Sequence, residues 1–449
     1  MNEENVNTFL KYLALYLPQY HSIPENDIVW GKGFTEWTNV RPAKPLFKKH
    51  YQPHIPHKDI GYYCLDDISV MINQAKIAKK YGIYGFCYYY YWFSGKTLLE
   101  KPLKQMLAES SVDIPFCLLW TNHNWTKVWD AGNKEVIIEQ VYDSKDYTKF
   151  IDDLYPYFKD SRYIRINNSP LLLIYDIDAL PDPLLAVKTW RDYSRKKYGT
   201  ELYLILGHQK GDPNPIKYNC NAAVEFTPNY LSWQSLSCNT PKLLYKKTRA
   251  TFYDYFANIG IYVLKKCPDY KLFRCVYPTW DNTARRKKDG SWMFLGFTLQ
   301  LFKKFLEEMS KITVRDFPKE ERFVFINAWN EWAEGCHLEP DTKYGYKFLE
   351  TCCEVINMNL ERLKREGFSI KEKEKMKKRL LICNEHYNLI KFKLLGLIPA
   401  LYIKFNDSKY KVYCLGVPVL YVKKYSKNSN KIINIRLFGI QVIKCHFTS

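Results

Sequence analysis

The segment 323–340 joins a short apolar run to two carboxylates, Glu331 and Glu334, that stand three residues apart beside Trp329 and Trp332. Carboxylates next to indole rings lose hydration, so one of the pair can hold a proton while the other stays charged. Such a pair can supply an acid and a base, and the indoles can stack on sugar rings. Structural ion pairs and helix caps produce the same spacing. The interpretation therefore depends on what the rest of the chain places around the pair.

Eight short apolar runs, rich in β-branched and aromatic residues, recur along the chain. They are Tyr12–Leu17, Ile83–Tyr90, Phe116–Trp120, Leu171–Tyr175, Leu202–Leu206, Ala222–Phe226, Phe273–Tyr277 and Phe323–Ala328. Near-continuous apolar strands are typical of parallel sheets that are buried on both faces. Between them lie helical patterns, such as an aspartate pair at 66–67 that precedes an amphipathic stretch ending near Gly82. The segments Leu301–Ser310 and Tyr346–Arg362 have similar patterns. The alternation predicts an α/β fold, a (β/α)8 TIM-type barrel, with a doubly wound sheet as the alternative.

Functional residues of such barrels follow the C-terminal ends of the strands, and polar or aromatic residues follow nearly every predicted strand. Aromatic rings can stack on the C–H face of a pyranose, and short carboxylates and amides can bond its vicinal hydroxyls. Any one of these residues is more often part of the core or of a turn, but their collection at one end favours a ligand site. The predicted substrate-contacting residues are Tyr20, His21, Trp37, Tyr91, Trp92, Asn122, Trp125, Trp129, Asp130, Glu225, Trp280, Asp281, Asn330 and Trp332. Within the aromatic run that ends at Trp92, side chains should alternate between the barrel interior and the helix layer, and we expect Tyr91 and Trp92 to reach a cleft.

The positive charge of the chain is concentrated at its C-terminal end. Residues 361–449 hold 20 Lys and Arg against 6 Asp and Glu, within a formal net charge of +20 for the whole chain. Three degenerate copies of an apolar motif around a glycine, Phe392–Leu397, Val412–Pro418 and Ile435–Ile440, predict successive β-hairpins or strand pairs. We therefore expect a barrel over 1–360, a basic helical linker over 361–390 and a small basic β-rich appendage over 391–449. The appendage could contact an anionic membrane surface or partner proteins, or only pack on the barrel.

Composition sets further expectations. The 13 cysteines are odd in number and have no repeated spacing, which favours reduced, buried thiols in a cytoplasmic protein. The first ten residues are polar and acidic, unlike a signal peptide, and no apolar run reaches the roughly 18 residues of a membrane span. We expect a cytoplasmic protein, peripheral at the inner membrane surface at most. We recognise neither an Asp-x-Asp motif nor a glycine-rich phosphate loop for a nucleotide sugar, and His54-x-x-His57 lacks an evident third ligand. We therefore expect no cofactor and no metal.

Several blocks of residues, taken in order, resemble a known family. They are Tyr16–His21, Trp30–Val40, His50–His54, Gly82–Trp92, Trp120–Asp130, Pro278–Arg286 and Asn327–Pro340. The chain resembles the WbsX-type proteins, bacterial enzymes of surface-polysaccharide gene clusters that are similar to glycoside hydrolase family 99 endo-α-mannosidases. The resemblance covers roughly residues 10–355.

The resemblance implies a (β/α)8 barrel that acts on glycosidic bonds with retention of configuration. In the hydrolase relatives, the first glutamate of the matching block helps to deprotonate the sugar 2-hydroxyl, which gives an anhydro-sugar intermediate, and the second acts as general acid and then base. By position, Glu331 takes the first role and Glu334 the second. This differs from direct attack by a carboxylate on the anomeric carbon. At His123 the resemblance leads us to expect an acidic residue instead.

These observations favour a carbohydrate-active enzyme of bacterial cell-surface polysaccharide biosynthesis, such as O-antigen, lipopolysaccharide or capsule. We expect glycosyl transfer to a glycan or glycolipid, with an endo-α-mannosidase-like hydrolase or a transglycosylase as the alternative. A non-catalytic glycan-binding protein is a second alternative, although such a protein has no need of an acid/base pair. The basic tail carries no zinc knuckle or other nucleic-acid signature, so we do not expect nucleic-acid binding.

Overall fold

The fold is described from a computed structural model. It covers residues 9–126, 135–208, 214–228, 250–286 and 290–386, together with six strands between residues 389 and 447. For residues 381 onward it describes the backbone and not the side chains. Trp129 and Asp130, two of the predicted contact residues, lie outside the described residues.

Eight parallel strands form a closed barrel. In chain order they are β1 (Lys11–Tyr16), β2 (Ile83–Phe93), β3 (Phe116–Trp120), β4 (Ser169–Ile174), β5 (Tyr203–His208), β6 (Ala222–Glu225), β7 (Leu272–Val276) and β8 (Phe323–Ile326). Each strand pairs with the next along the chain, and β1 also pairs with β8, with Lys11 opposite Phe323 and Ala14 opposite Ile326. This closure confirms the predicted (β/α)8 barrel and excludes an open doubly wound sheet. All eight predicted apolar runs coincide with barrel strands.

Helices lie between the strands and after them. They are α1 (Pro24–Trp30), α2 (Trp37–Val40), α3 (Ile68–Lys80), α4 (Lys101–Ala108), α5 (Asp146–Phe158), α6 (Pro183–Tyr198), α7 (Tyr255–Leu264), α8 (Thr283–Arg286), α9 (Leu299–Asp316), α10 (Lys347–Ile356), α11 (Leu360–Arg365) and α12 (Ile370–His386). The predicted helix after residue 67 is confirmed as α3, and the Asp67 side chain accepts a hydrogen bond from Ser69 N at 2.9 Å. The pattern predicted over 346–362 is divided into α10 and α11, because Asn359 caps a new helix by accepting from Arg362 N.

Short strand pairs extend the barrel around the ends of its strands. Residues Lys96–Leu98 pair with the end of β2, and Arg165–Ile166 pair with the start of β4. Trp125–Thr126 pair with Val136–Ile138, Thr251–Asp254 with Trp292–Leu295, and Asn330–Glu331 with Cys336–His337. We call residues 330–337, which carry both glutamates, the carboxylate hairpin.

The basic C-terminal region contains the linker helix and an antiparallel sheet. Helix α12 packs on α7: Met376 is fully buried against Gly260, and Arg379 pairs with Asp254 at 3.0 Å. Six strands follow, β9 (Leu389–Leu394), β10 (Ile398–Asn406), β11 (Lys409–Cys414), β12 (Val417–Lys427), β13 (Asn430–Leu437) and β14 (Ile440–Phe447). Consecutive strands pair antiparallel throughout. The glycines of the three repeated motifs lie outside the described residues, between the paired strands. Across the described helices, none is both long and apolar enough to cross a bilayer.

Candidate active site

The carboxylate hairpin follows β8 at the C-terminal end of the barrel. Glu331 ends its first strand, a short turn carries Glu334, and Gly335 adopts the left-handed conformation, with φ of 57°. A side chain at Gly335 would meet Asp281, whose backbone oxygen lies 3.0 Å from the position of a Cβ. Asp281 N in turn donates to Glu334 O at 2.7 Å. The turn that presents Glu334 is therefore packed directly against the segment after β7.

Three of the predicted contact residues hold this hairpin instead of facing a ligand. Asn330 accepts from Leu17 N at 2.8 Å and donates to Leu17 O at 3.0 Å, which fastens the hairpin to the end of β1. The Tyr20 hydroxyl donates to Asn330 O and accepts from Trp332 N. Trp332 is fully buried between the rings of Trp37 and His337. Since these side chains are buried and paired, their role in the structure is to position Glu331.

Glu339 holds the same region in place by accepting four hydrogen bonds. Its Oε2 accepts from Trp332 Nε1 at 2.7 Å and from the Tyr63 hydroxyl at 2.9 Å. Its Oε1 accepts from Gln74 Nε2 at 2.7 Å and Trp329 Nε1 at 3.1 Å. Burial raises the pKa of Glu339 to about 7 although these four donors oppose the shift. Glu339 was not among the predicted site residues, because a single acid before a proline has no pattern that reveals its partners.

Arg285, at the end of α8, joins three carboxylates. Its Nη1 donates to Glu334 at 2.7 Å, and its Nη2 donates to Glu331 at 2.5 Å and to Glu36 at 3.2 Å. The Glu331 side chain is only 6% exposed and that of Glu334 is 17% exposed. Neither Arg285 nor Glu36 was among the predicted site residues, although both belong to the blocks that carry the family resemblance. Only the fold shows that they meet.

The electrostatics of this cluster favour a proton on Glu331. Burial raises the pKa of Glu331 to about 8, with Glu334 and Glu36 adding to the shift and Arg285 opposing it. Burial likewise raises the pKa of Glu36 to about 7. A base at Glu331 must therefore lose its proton as substrate arrives. A sugar hydroxyl that donates to Glu331 would favour that loss.

Both glutamates open into a cavity of about 320 Å³. Its aromatic walls are Tyr89, Tyr91, Tyr175, Phe226, Trp280 and Trp292, and its polar walls include Gln19, His123, Asn282, Arg286 and Asn327. The size and the mixture of aromatic and hydrogen-bonding groups suit a small polar ligand. A larger cavity, of about 540 Å³, is lined by Asn221 and Leu272 near the starts of β6 and β7, and so lies at the other end of the barrel.

Of the predicted contact residues, Tyr91 and Trp280 line the cavity with the two glutamates. Trp92 does not, contrary to our expectation: its Nε1 donates to Asp153 of α5 at 2.8 Å. Successive residues of a strand point to opposite sides, so Tyr89 and Tyr91, which are two residues apart, share the inner side. The alternation was predicted correctly, but Tyr89 rather than Trp92 is the second aromatic residue in the cavity.

Four other predicted contact residues lie in supporting positions. Asn122 joins the ends of β3 and β4 by donating to Asp176 O at 2.6 Å and accepting from Asp176 N at 2.9 Å. Glu225 is buried in an ion pair with Arg274 at 2.7 Å. The Trp125 ring packs edge-on against Tyr91, and its Nε1 donates to Asn26 at 3.0 Å. His21 is 2% exposed, its Nδ1 lies 4.0 Å from Asp66, and burial lowers its pKa. None of these four lines the cavity.

Asp281 lies at a neighbouring cavity of about 240 Å³ that shares the Trp280 ring with the first. Its Oδ2 accepts from His50 Nε2 at 2.6 Å and from Gln52 Nε2 at 3.0 Å. Its Oδ1 accepts from the Thr283 hydroxyl at 2.6 Å. The carboxylate is thus occupied by protein donors, which explains why it does not extend into the larger site.

His123, where the resemblance led us to expect an acid, lines the cavity and lies 2.9 Å from Asp176 Oδ2. The expectation that the chain has no Asp-x-Asp motif was wrong, because Asp176 and Asp178 have this spacing. Here Asp176 accepts from Asp178 N at 3.2 Å, and Asp178 accepts from the Tyr218 hydroxyl at 2.5 Å. Asp176 and Asp178 therefore belong to a local turn beside the cavity.

The described residues that come nearest to a metal-ligand arrangement are His54, His337 and Asp341, whose ligand atoms lie within 4.8 Å of one another. His54 Nδ1 and His337 Nε2 are 2.9 Å apart, and His337 Nδ1 donates to Glu339 O at 2.9 Å. A neutral His54 that donates to His337 accounts for this geometry. His57 does not join them, since it pairs with Asp59 at 3.2 Å.

Comparison with known proteins assigns the family. The model of the family described as glycosyltransferase WbsX matches residues 12–352. The chain belongs to the WbsX family. Two uncharacterized WxcX proteins, from Xanthomonas campestris pv. campestris strains B100 and ATCC 33913, are each 39% identical to it over 340 residues. The match covers 75% of this chain and 48% of each WxcX protein, so the chain spans about half the length of these relatives.

Two solved structures are similar to this WbsX-family chain. A glycoside hydrolase-like protein aligns with a TM-score of 0.52 at 14% identity, covering 79% of this chain and 96% of that one. The GH99 endo-α-mannosidase from Bacteroides thetaiotaomicron aligns with a TM-score of 0.47 at 14% identity, covering 82% and 98%. At such low identity the first alignment supports the barrel fold alone.

Proposed function

We propose that this protein is a carbohydrate-active enzyme that cleaves a glycosidic bond in its 320 Å³ cavity and transfers the sugar, in the assembly of bacterial surface polysaccharide. The observation that carries the proposal is the bridging of Glu331 and Glu334 by Arg285 at an aromatic-walled cavity. The WbsX membership supports glycosyl transfer as the reaction class.

The more exposed Glu334 suits the leaving-group side of the bond. Its side chain is 17% exposed where that of Glu331 is 6% exposed, so it can reach an oxygen that enters from solvent. We assign Glu334 as the general acid that protonates the leaving oxygen, and then as the base toward the incoming hydroxyl. We assign Glu331 as the base toward the neighbouring sugar hydroxyl. Burial favours a proton on Glu331, so this assignment requires the substrate to displace that proton.

The test uses aryl glycosides whose phenols differ in acidity, assayed over a panel of sugars with the full chain. Glu334→Gln should fail to release poor leaving groups but should still release one equivalent of nitrophenol, which needs no proton, as a burst. The second step then slows, because the base toward the incoming hydroxyl is missing. Glu331→Gln should lose turnover on both. If both variants turn over every substrate as the unmodified protein does, the site assignment is wrong.

Transfer and hydrolysis differ in the molecule that receives the sugar, which is another glycan in transfer and water in hydrolysis. Incubation in H₂¹⁸O with an oligosaccharide acceptor present measures both outcomes at once by mass spectrometry. A transferase gives an unlabelled, extended acceptor, and a hydrolase gives labelled free sugar. If glycan binds but no product of either kind forms, the protein is a glycan-binding protein, which is the alternative to an enzyme.

We also propose that the C-terminal sheet contacts an anionic membrane surface. Its six strands contain eleven Lys and Arg and no Asp or Glu. Residues opposite one another on paired strands share a face of the sheet. By this register, nine of the cationic residues share one face: Lys391, Lys393, Lys404, Lys409, Lys411, Lys423, Lys427, Arg436 and Lys444. The other face carries aliphatic and aromatic positions, such as Ile403, Phe405, Val412, Val422 and Ile435. Such segregation supports electrostatic adsorption through one side.

Two double variants with equal charge change test this contact. Lys411→Glu with Lys423→Glu alters the basic face, and Lys424→Glu with Lys431→Glu alters the other face. Each Lys near an anionic surface contributes about 1 kcal/mol to binding. The first pair should therefore weaken the affinity for phosphatidylglycerol vesicles, measured by co-sedimentation, by tenfold or more. The second pair should change it less. Equal loss in both variants, or binding that persists at high salt, would refute a face-specific electrostatic contact.

A further inference from the structure

Glu36 reaches the carboxylate pair from a part of the chain almost 300 residues away in sequence. It stands just before α2, is fully buried, and is not among the residues that line the 320 Å³ cavity. Its Oε1 accepts from Arg285 Nη2 at 3.2 Å, the same nitrogen that donates to Glu331. Its Oε2 is buried and has no hydrogen-bond partner among the described residues. A buried carboxyl with one long hydrogen bond is poorly stabilised as an anion, which favours its protonated form.

The charges around Glu36 do not balance when every acid is ionised. Glu36, Glu331 and Glu334 would then share the single positive charge of Arg285. Within the part of the chain that the structure describes, the Tyr20 and Tyr91 hydroxyls also interact with Glu36, and they stay neutral because burial raises their pKa well above the usual value. The cluster therefore takes up protons, and the positions that burial favours are Glu331 and Glu36. Such interacting groups titrate as a unit.

We propose that Glu36 is a positioning residue that sets the charge of Glu331 through their shared contact with Arg285. When Glu36 is protonated, Glu331 is the only carboxylate of the two that needs the Arg285 Nη2 donor. Glu331 can then be an anion and act as a base. With Glu36 ionised, two carboxylates compete for one nitrogen and Glu331 keeps its proton. Glu36 itself touches no substrate in this scheme. The inference rests on the proposed function of the glutamate pair and adds a regulator of its protonation.

The first test is the pH dependence of turnover in Glu36→Gln, which keeps the shape of a protonated Glu36 and cannot ionise. A base works only when it is ionised, so the rate rises with pH through its pKa. Removing a nearby negative charge lowers that pKa, and the acid limb of kcat/KM should move to lower pH by roughly one unit. Glu36→Asp keeps the charge and should leave the limb near that of the unmodified protein. A uniform loss of rate with no movement of the limb would show a merely structural role and overturn the proposal.

The second test does not need turnover. Because the pKa of Glu36 is higher in the folded protein than in the unfolded chain, the folded state binds its proton more tightly. That contribution to stability is present at low pH and is lost as pH rises toward 7. The Tm of Glu36→Gln should therefore rise relative to the unmodified protein between pH 5 and pH 8. A difference in Tm that is constant with pH would overturn the proposal even if no glycan substrate had been found.

Glu307→Gln is the matched control. Glu307 is also a buried glutamate whose pKa is raised by burial, but it lies on α9 and its cationic partner is Lys303, at 3.8 Å. This substitution should change the pH dependence of Tm and leave the acid limb of kcat/KM in place. If it moved the limb as Glu36→Gln does, the effect would be global and the assignment to Glu36 would fail.

Discussion

Gly335 offers a sharp test of how the carboxylate hairpin is held. Gly335→Ala must place a side chain at φ of 57°, which costs about 1–2 kcal/mol for any residue with a Cβ. The new Cβ would also lie 3.0–3.2 Å from three atoms of Asp281, two of them backbone. Backbone cannot rotate away, so we expect an overpacking cost of about 1–3 kcal/mol in addition. The total loss of unfolding free energy is about 2–5 kcal/mol.

The chain contains a control with the same strain and no contact. Gly199 ends α6 at φ of 62°, and a Cβ there would have nothing within 4 Å. Gly199→Ala should therefore cost only the conformational part, about 1–2 kcal/mol. Urea unfolding of both variants, followed by tryptophan fluorescence, measures the difference.

The same pair of variants separates stability from function. The backbone of Asp281 donates to Glu334 O, so displacing it should move Glu334 and lower turnover in Gly335→Ala, at temperatures where the protein remains folded. Gly199→Ala should leave turnover unaffected. Equal losses of stability in the two variants, or normal turnover in Gly335→Ala, would refute the close packing of the hairpin on Asp281.

Three further predictions concern buried groups and the cavity wall. Trp280→Ala should raise the Kd for glycan about tenfold by removing a stacking surface. Trp92→Ala should lower the unfolding free energy by about 3–5 kcal/mol and leave that Kd unchanged. Isothermal titration measures the Kd, and urea melts measure the stability. Arg274→Met leaves Glu225 buried without its partner and should cost about 3–5 kcal/mol, and adding Glu225→Gln should recover part of that loss in the same melts. The pKa of Glu339 is raised to about 7 in the folded protein, so its contribution to stability is lost as pH rises from about 4.5 to 7, by about 3 kcal/mol. Glu339→Gln should flatten that pH dependence but lower stability at pH 5, because an amide NH₂ would face two of the four donors.

The barrel could be predicted from the sequence because its signal is local. Runs such as Leu171–Tyr175 and Phe323–Ala328 are apolar at nearly every position, which only a strand buried on both faces requires. The aspartate before α3 and the glycine after it likewise act on their own neighbours. Closure into a barrel instead of an open sheet depended on β1 pairing with β8, across some 300 residues, and no local pattern encodes that.

The candidate site likewise has a part that local sequence patterns predict and a part that depends on the fold. The position of Glu331 and Glu334 after a strand, beside tryptophans, could be read from spacing alone, and the alternation along β2 correctly placed Tyr91 inside the barrel. Sequence reasoning could not separate residues that face the cavity from those that hold its walls, because both kinds are polar or aromatic and both follow strands. Asn330 and Glu225 are the examples: each is fully paired within the protein.

Local residue patterns set the order of strands and helices and the presence of an acid pair at one strand end. The tertiary structure alone decided which groups share charge. Glu36, Arg285 and Glu331 lie on three distant segments, and each is an ordinary surface residue type in isolation. Their pKa values and proton positions depend on burial and on distances of a few ångströms, which arise only once the barrel brings its strand ends together.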